Sequence, residues 1–311
     1  MAGYVGSNGK AQNLIGGWVG VNGKACKIVN GWVGVNGKAR RIWTSTGWRR
    51  LSDSPINGYN GAACVFQNKI HLIDSSGNHY SFDGSAWTQE TSVPVSGNSP
   101  ILVEYNGAMH YLNGTVGNAK HYSWDGTSWT LVGNNPAYLY GMNNACVYNN
   151  KLTVVSSRHG SSGLFRNIWQ YDGAWTNVTT AYVNSESSYA SHSCCVYNGN
   201  IEYIYTSNNH KRRIHWDGTD KTQLADMPYA FYNGMMLEYD GAIHFIGSED
   251  YGTAWGGDFR KNHYKWDGST YTEVATLPYN VANAPAVVFN NKIYLFGSSV
   301  TGGAKYVSVF G

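Results

Sequence analysis

The sequence predicts an all-β fold: a six-bladed β-propeller closed by an N-terminal strand and preceded by three short β-hairpin repeats. Three observations carry this reading. An aromatic residue followed by Asp-Gly recurs five times, at Phe82-Asp83-Gly84, Trp124-Asp125-Gly126, Tyr171-Asp172-Gly173, Trp216-Asp217-Gly218 and Trp266-Asp267-Gly268, with the Asp residues 42, 47, 45 and 50 apart. That period is the length of one four-stranded propeller blade. A second signal, a two-residue turn such as Asn106-Gly107 between β-favouring runs, recurs six times, and a 14-residue unit fills the first 42 residues.

Composition agrees. Only 13% of the 311 residues are charged and 14% are aromatic, with 38 Gly, 24 Tyr and 12 Trp; long helical patterns are missing, as expected of a turn-rich β protein. No apolar run approaches the ~20 residues that span a bilayer. The start, Met1-Ala2-Gly3-Tyr4-Val5-Gly6, lacks the charged and apolar segments of a signal peptide, so the expectation is folding in the cytoplasm.

The short repeats come first. Tyr4-Val5-Gly6-Ser7-Asn8-Gly9-Lys10-Ala11 is followed by Trp18-Val19-Gly20-Val21-Asn22-Gly23-Lys24-Ala25 and Trp32-Val33-Gly34-Val35-Asn36-Gly37-Lys38-Ala39. Asn-Gly supplies the two positive-φ positions of a tight hairpin turn, so each unit reads as one hairpin. A single hairpin cannot bury a core. Three in series are expected to form one small sheet with a Tyr4/Trp18/Trp32 stripe that needs a cover, from the propeller, a second copy of the chain or a larger assembly. Near-identical copies argue against catalysis here. Residues 1–50 hold eight basic residues, among them Lys24, Lys38 and Arg40, and no acidic one; the other 261 hold 14 basic and 19 acidic. Such asymmetry marks residues 1–42 as an arm that docks on something acidic.

The blades occupy 43–311. Blade one reads as strands at 62–66, 69–73, 78–82 and 87–90. The first hairpin recurs around Asn106-Gly107, Asn149-Asn150, Asn198-Gly199, Asp240-Gly241 and Asn290-Asn291, which makes six blades. The sixth lacks a fourth strand after 305–310, and residues 46–51 supply it from the other end of the chain. Trp48 then matches Trp87, Trp129, Trp175 and Tyr271. This closure removes two exposed sheet edges. Blade four departs, with Lys221 where the others carry an aromatic. Cys64, Cys146 and Cys195 share one inner-strand slot and read as small apolar filler.

Two resemblances follow from these residues. The 14-residue units resemble the short hairpin repeats of phage and prophage tail or minor structural proteins, which implies attachment to other particle proteins through residues 1–42 and a place in a virion or tail-like particle. Residues 40–311 resemble kelch-type propellers, including sugar-associated bacterial ones; the single glycines Gly247 and Gly297 stand where a kelch blade often has a Gly-Gly pair. That resemblance speaks to fold more than to function.

Strand order separates two faces. First-to-second and third-to-fourth turns share one; second-to-third loops and blade-to-blade connections share the other. The length variation lies on the second face, in segments 156–167, 206–213 and 247–262, read as loops. The candidate ligand-binding residues there are Tyr59, Tyr138, Tyr140, Arg158, His159, Tyr182, His210, Arg212, Tyr232, Tyr251 and Trp255. Tyr and Asn on a rigid scaffold join flat apolar area to adaptable hydrogen bonding, which suits a host surface glycan, and the basic loops suit an acidic sugar or phosphate. Roughly half of the tyrosines on the connections, which also include Tyr229 and Tyr279, are expected to pack over blade ends instead.

No G-x-S-x-G, H-E-x-x-H or P-loop pattern occurs, and no motif calls for a cofactor or metal. The string Ser81-Phe82-Asp83-Gly84-Ser85-Ala86-Trp87 resembles a sialidase aspartate box but is one residue short. A glycosidase needs two converging carboxylates; Glu186, Glu249, Asp250 and Asp258 are the candidates. The reading is therefore a particle protein whose propeller binds a glycan. The alternatives are a kelch-type sugar epimerase, mutarotase or glycosidase-like enzyme, and a decoration protein that binds nothing outside; homo-oligomerisation stays open. A net-negative propeller without a recognised motif argues against nucleic acid.

Overall fold

The computed structural model describes residues 3–7, 10–14, 18–21, 24–27, 30–35, 38–44, 47–97, 100–113, 119–136, 145–160, 163–183, 193–205, 211–229, 231–249, 259–297 and 305–311; side chains are described from residue 47 on, except at 156–166, 180–183, 205, 249 and 259–260. The chain divides into two compact units, Met1–Gly47 and Trp48–Gly311.

In the first unit Gly3–Ser7 pairs with Lys10–Leu14, Trp18–Val21 with Lys24–Lys27, and Asn30–Val35 with Lys38–Thr44. The pairings Ser7↔Lys10, Val21↔Lys24 and Val35↔Lys38 put two residues in each turn. The expected single sheet is not formed: among the described residues, pairing stays within each hairpin. A partner three residues away carries the lowest loop-closure cost, which a neighbouring hairpin does not match.

The second unit is the six-bladed propeller. Blade one consists of Ala62–Phe66, Lys69–Ile73, His79–Phe82 and Trp87–Gln89, hydrogen-bonded in that order. Blades two to five repeat this, with innermost strands Ile101–Tyr105, Ala145–Tyr148, Cys194–Tyr197 and Met235–Tyr239. Blade six is Ala286–Phe289, Lys292–Phe296 and Val307–Phe310, completed by Trp48–Arg50. Each innermost strand touches the next and the sixth touches the first, so the ring is closed.

The core is six clusters, one at each interface between adjacent blades. Ile70 and Leu72 of blade one, for example, meet Val287, Phe296 and Val309 of blade six. Each such fully buried aliphatic contributes about 1.5–3 kcal/mol.

Parts of all three segments read as loops are strand, Arg212 and Arg213 opening Arg212–Trp216; residues 161–162, 206–210 and 250–258 lie outside the described residues. Lys151–Gly160 and Gly163–Tyr171 continue as one hairpin to a Gly160↔Gly163 pair, and Ala242–Glu249 pairs with Phe259–Trp266 as far as Glu249↔Phe259. Pairing as far as Gly160↔Gly163 means that blade three lengthens its strands where a loop was expected.

Candidate functional site: the loop face and the channel

The two faces differ in how they are built. On the turn face all six first turns hold both central residues at positive φ, between 46° and 78°, the requirement of a two-residue hairpin turn. Asn, Asp and Gly tolerate that conformation best. The third-to-fourth turns are capped by the Asp of the aromatic-Asp-Gly repeat. Oδ1 of Asp83, Asp125, Asp217 and Asp267 accepts two backbone N–H bonds each, at 2.7–2.9 Å. These bonds favour the ionised form and hold Asp83 and Asp125 down at about 2. The Asp172 turn is one residue shorter and closes by Asp172 N–H to Ala174 O at 3.3 Å.

Between the faces runs a channel of ≈ 380 Å³, walled by the six innermost strands. Each innermost strand pairs only with its own second strand, so the other edge of its backbone faces the channel and needs water or a ligand to satisfy it. Ala63, Cys64, Leu102, Cys146, Cys194 and Cys195 are among the lining residues. Cys64, Cys146, Cys194 and Cys195 are free thiols, and burial pushes those of Cys64 and Cys195 up, away from the reactive thiolate.

On the loop face, the connections into blades five, six and one lock together. Asn60 N–H donates to Asn283 O and Asn283 N–H to Asn233 O, both at 2.8 Å. All three asparagines have positive φ, 57°, 52° and 54°, and all are half-buried. Gly297, at φ 92°, lets this layer close, because a Cβ there would lie 2.5 Å from Tyr59 N; a Cβ on Gly247 would lie 2.4 Å from Val281 O. Polar side chains in the layer serve its backbone. Asp74 Oδ1 accepts from the N–H groups of Ser76 and Asn78, Ser193 Oγ from Met236 N–H, and Ser248 Oγ from Tyr232 N–H.

Of the predicted ligand residues, Tyr59 and Tyr232 are half-buried and each directly precedes an asparagine of this layer; Arg212 is half-buried on strand Arg212–Trp216 of blade four. Arg158 and His159 lie on Lys151–Gly160 and Tyr182 on Trp175–Val183, with their side chains outside the described set. Tyr138, Tyr140, His210, Tyr251 and Trp255 lie outside the described residues, as do Glu186, Asp250 and Asp258. In the arm, Tyr4, Trp18, Lys24, Trp32, Lys38 and Arg40 lie on strands whose side chains are likewise not described. Tyr229 and Tyr279 are buried, and Tyr279 Oη lies 2.6 Å from Ser308 Oγ; these two are blade-end packing. The asparagine layer was missed, although Tyr59-Asn60-Gly61 and Tyr232-Asn233-Gly234 repeat a signal for it.

Among the described residues, the most perturbed histidines and the buried ion pair lie on neither face. They form pairs between the second and third strands of four blades: His71 with His79 at 2.8 Å, His110 with His121 at 2.7 Å, His244 with His263 at 2.7 Å, and Glu202 with Arg213 at 3.0 Å. Strand register places all four alike, and the same slots hold Thr153/Ile168 in blade three and Tyr294/Val307 in blade six. His79 Nδ1 faces Thr91 O at 3.2 Å; a carbonyl only accepts, so Nδ1 carries the proton and Nε2 accepts from His71. Burial lowers His71, His79 and His244 to about 4, and His121 and His263 to about 3. Burial raises Glu202, against the pull of Arg213. The 3.0 Å contact between them is an ion contact whose angle falls short of a hydrogen bond.

Each pair lies under aromatics of the next blade. Trp124 and Trp129 cover His79, Tyr171 and Trp175 cover His121, and Trp48 and Phe310 cover His263. Arg213 stacks on Trp266 at 4.1 Å and donates to Tyr271 Oη at 3.0 Å. These buried titratable groups are therefore interface ties with no access to a substrate. Among the described residues, no group of three or more His, Cys, Asp or Glu is placed to hold a metal.

No family model matches the chain, and no curated protein matches it. Among solved structures, one titled "Structure of YjhT" superposes with a TM-score of 0.66, covering 84% of this chain and 95% of that one at 13% identity. At that identity the likeness shows the fold alone. With 455 chains of solved structures matching, the propeller is too common to name a function.

Proposed function

We propose that the protein is a structural component of a phage or prophage particle, attached through residues 1–42, whose propeller binds a host surface glycan with its loop face. One observation carries the binding half. The turn face is spent on near-identical turns, while on the opposite face the connections into blades five, six and one are tied through three asparagines, with half-buried Tyr59 and Tyr232 beside two of them. Flat rings next to amide groups fit the apolar faces and hydroxyls of a sugar. The attachment half rests on the basic hairpin repeats and their resemblance to phage tail proteins.

The test is binding of the full chain to host cells and to a glycan array. Tyr59→Ala and Tyr232→Ala, together with Tyr138→Ala, Tyr140→Ala and Trp255→Ala, are expected to weaken binding at least about tenfold, as loss of interface anchors does, with the melting temperature nearly unchanged. Unchanged binding in all five would overturn the assignment of the face. Turnover of a free sugar by the protein would replace binding with catalysis.

A further inference from the structure

The propeller is closed by three residues. Trp48–Arg50 pairs with Val307–Phe310 through Phe310↔Trp48, Val309↔Arg49 and Ser308↔Arg50, and Leu51 N–H adds a bond to Val307 O at 2.8 Å. So short a strand gains little from its backbone ladder, and its hold depends on side chains. Arg50 pairs with Asp53 and stacks on Tyr306, both contacts exposed to solvent on the rim. The contact that reaches inward from the strand is half-buried Trp48. Its Nε1–H donates to His263 Nδ1 at 3.1 Å, and its ring packs against His263 and Phe310.

That bond fixes a chain of protons. Nδ1 of His263 must be bare to accept from Trp48, so Nε2 carries the proton and donates to His244 Nδ1 at 2.7 Å. A proton added to His263 Nδ1 would set two N–H groups against each other and place a charge where His263 has no measurable exposure. From blade five, Lys265 opposes a charge on His244, while Asp240 and the Tyr239 carbonyl favour one. Among the described residues of blade six, Trp48 and the edge-on ring of Phe310 face His263, and neither is a carboxylate that would stabilise an imidazolium.

We propose that the His244–His263 pair is an acid-sensitive latch on ring closure: neutral, it holds Trp48 and the closing strand; protonated, it releases them before the rest of the propeller unfolds. The sign follows from linkage. Opening takes the Trp48 ring off His263, so its value rises from about 3 in the closed ring toward the ordinary 6.5. Closure is therefore fully stabilised above about pH 6.5 and weakens as pH falls toward 3. A histidine that returned fully to 6.5 would make opening about tenfold more populated at pH 5.5 than at pH 7.5. Opening frees the one strand that the N-terminal part of the chain gives to the ring.

Amide hydrogen exchange on the full chain, corrected for the intrinsic pH dependence of exchange, tests this. Protection of residues 48–51 should fall by up to about tenfold between pH 7.5 and 5.5, while amides of the second strands, such as Ile243 and Ile293, keep theirs. The double change His244→Thr/His263→Ile, which installs the residues blade three carries in these slots, should make protection of 48–51 independent of pH. If that variant does not fold, His263→Gln, a neutral side chain able to accept from Trp48, should flatten the profile as well. A wild-type profile flat between those pH values, loss of 48–51 only together with the second strands, or an unchanged slope in a folded variant would each overturn the latch.

Discussion

Four blade interfaces of this ring enclose a polar pair and two do not, and the contrast explains an irregularity in the sequence. Where the preceding blade holds His71/His79, His110/His121, Glu202/Arg213 or His244/His263, the next blade supplies a fourth-strand aromatic, namely Trp129, Trp175, Tyr271 or Trp48. Where the preceding blade holds Thr153/Ile168, the next blade has Lys221. Trp87 belongs to the interface with Tyr294/Val307 and stacks on Phe82 and Phe296. A buried polar pair needs water excluded; the aromatic ring does that at all four, and Trp48 and Tyr271 also bond to the pair they cover. An isoleucine already covered by Trp216 asks for no such cover. The odd residue in blade four thus has its cause in blade three.

The contrast is sharpest at the ion pair. Glu202→Gln would leave the Arg213 guanidinium, 1% exposed, without its counter-charge, at a cost of about 3–5 kcal/mol. The double change Glu202→Thr/Arg213→Ile copies blade three and should cost far less, because both charges leave together. Chemical denaturation of the two variants measures this. If the double variant is as damaged as the single one, the interfaces are not interchangeable and the comparison fails.

A smaller effect separates Trp129 from Trp87. Trp129 Nε1–H donates to Thr91 O at 2.9 Å, the carbonyl that also meets His79. Trp129→Phe loses that bond and should cost about 1–2 kcal/mol. Trp87 makes ring contacts only, and Trp87→Phe should cost about half as much. Equal losses in thermal or chemical unfolding would mean that ring burial alone matters and that the polar pairs do not select their cover.

Most of the ring was legible in the sequence and its polar ties were not. The turns were legible because a two-residue turn needs two positive-φ residues, and Asn106-Gly107 or Asp240-Gly241 announces that locally. The split sixth blade was legible because Trp48 matches a fourth-strand position with no blade before it. The histidine pairs were hidden because each joins residues 8, 11 or 19 apart; the spacing follows the intervening loop, and only the strand register shows that they share one slot. The asparagine layer was half visible in Tyr59-Asn60-Gly61 and Tyr232-Asn233-Gly234, but Asn283 precedes Ala284-Pro285 and breaks the pattern. The long segment in blade three was misread because Ser and Gly signal a turn as readily within a hairpin as within a loop.

The finest test of the contrast is to give blade four the residue it lacks. If the aromatic is there to cover a polar pair, Lys221→Trp adds a ring above Ile168, which Trp216 already packs against. The half-buried stem of Lys221 would be replaced without a new partner for the indole N–H. The change should then stay within about 0.5 kcal/mol of the wild type. The same substitution made after installing the blade-one histidines in blade three, Thr153→His/Ile168→His, should recover stability that the histidines alone remove, because the ring would exclude water from them and give their outer nitrogen a neighbour. Coupling between these sites, read from a double-mutant cycle in chemical denaturation, is the quantity that matters. A coupling indistinguishable from zero would leave the match between aromatic and polar pair a coincidence of four blades.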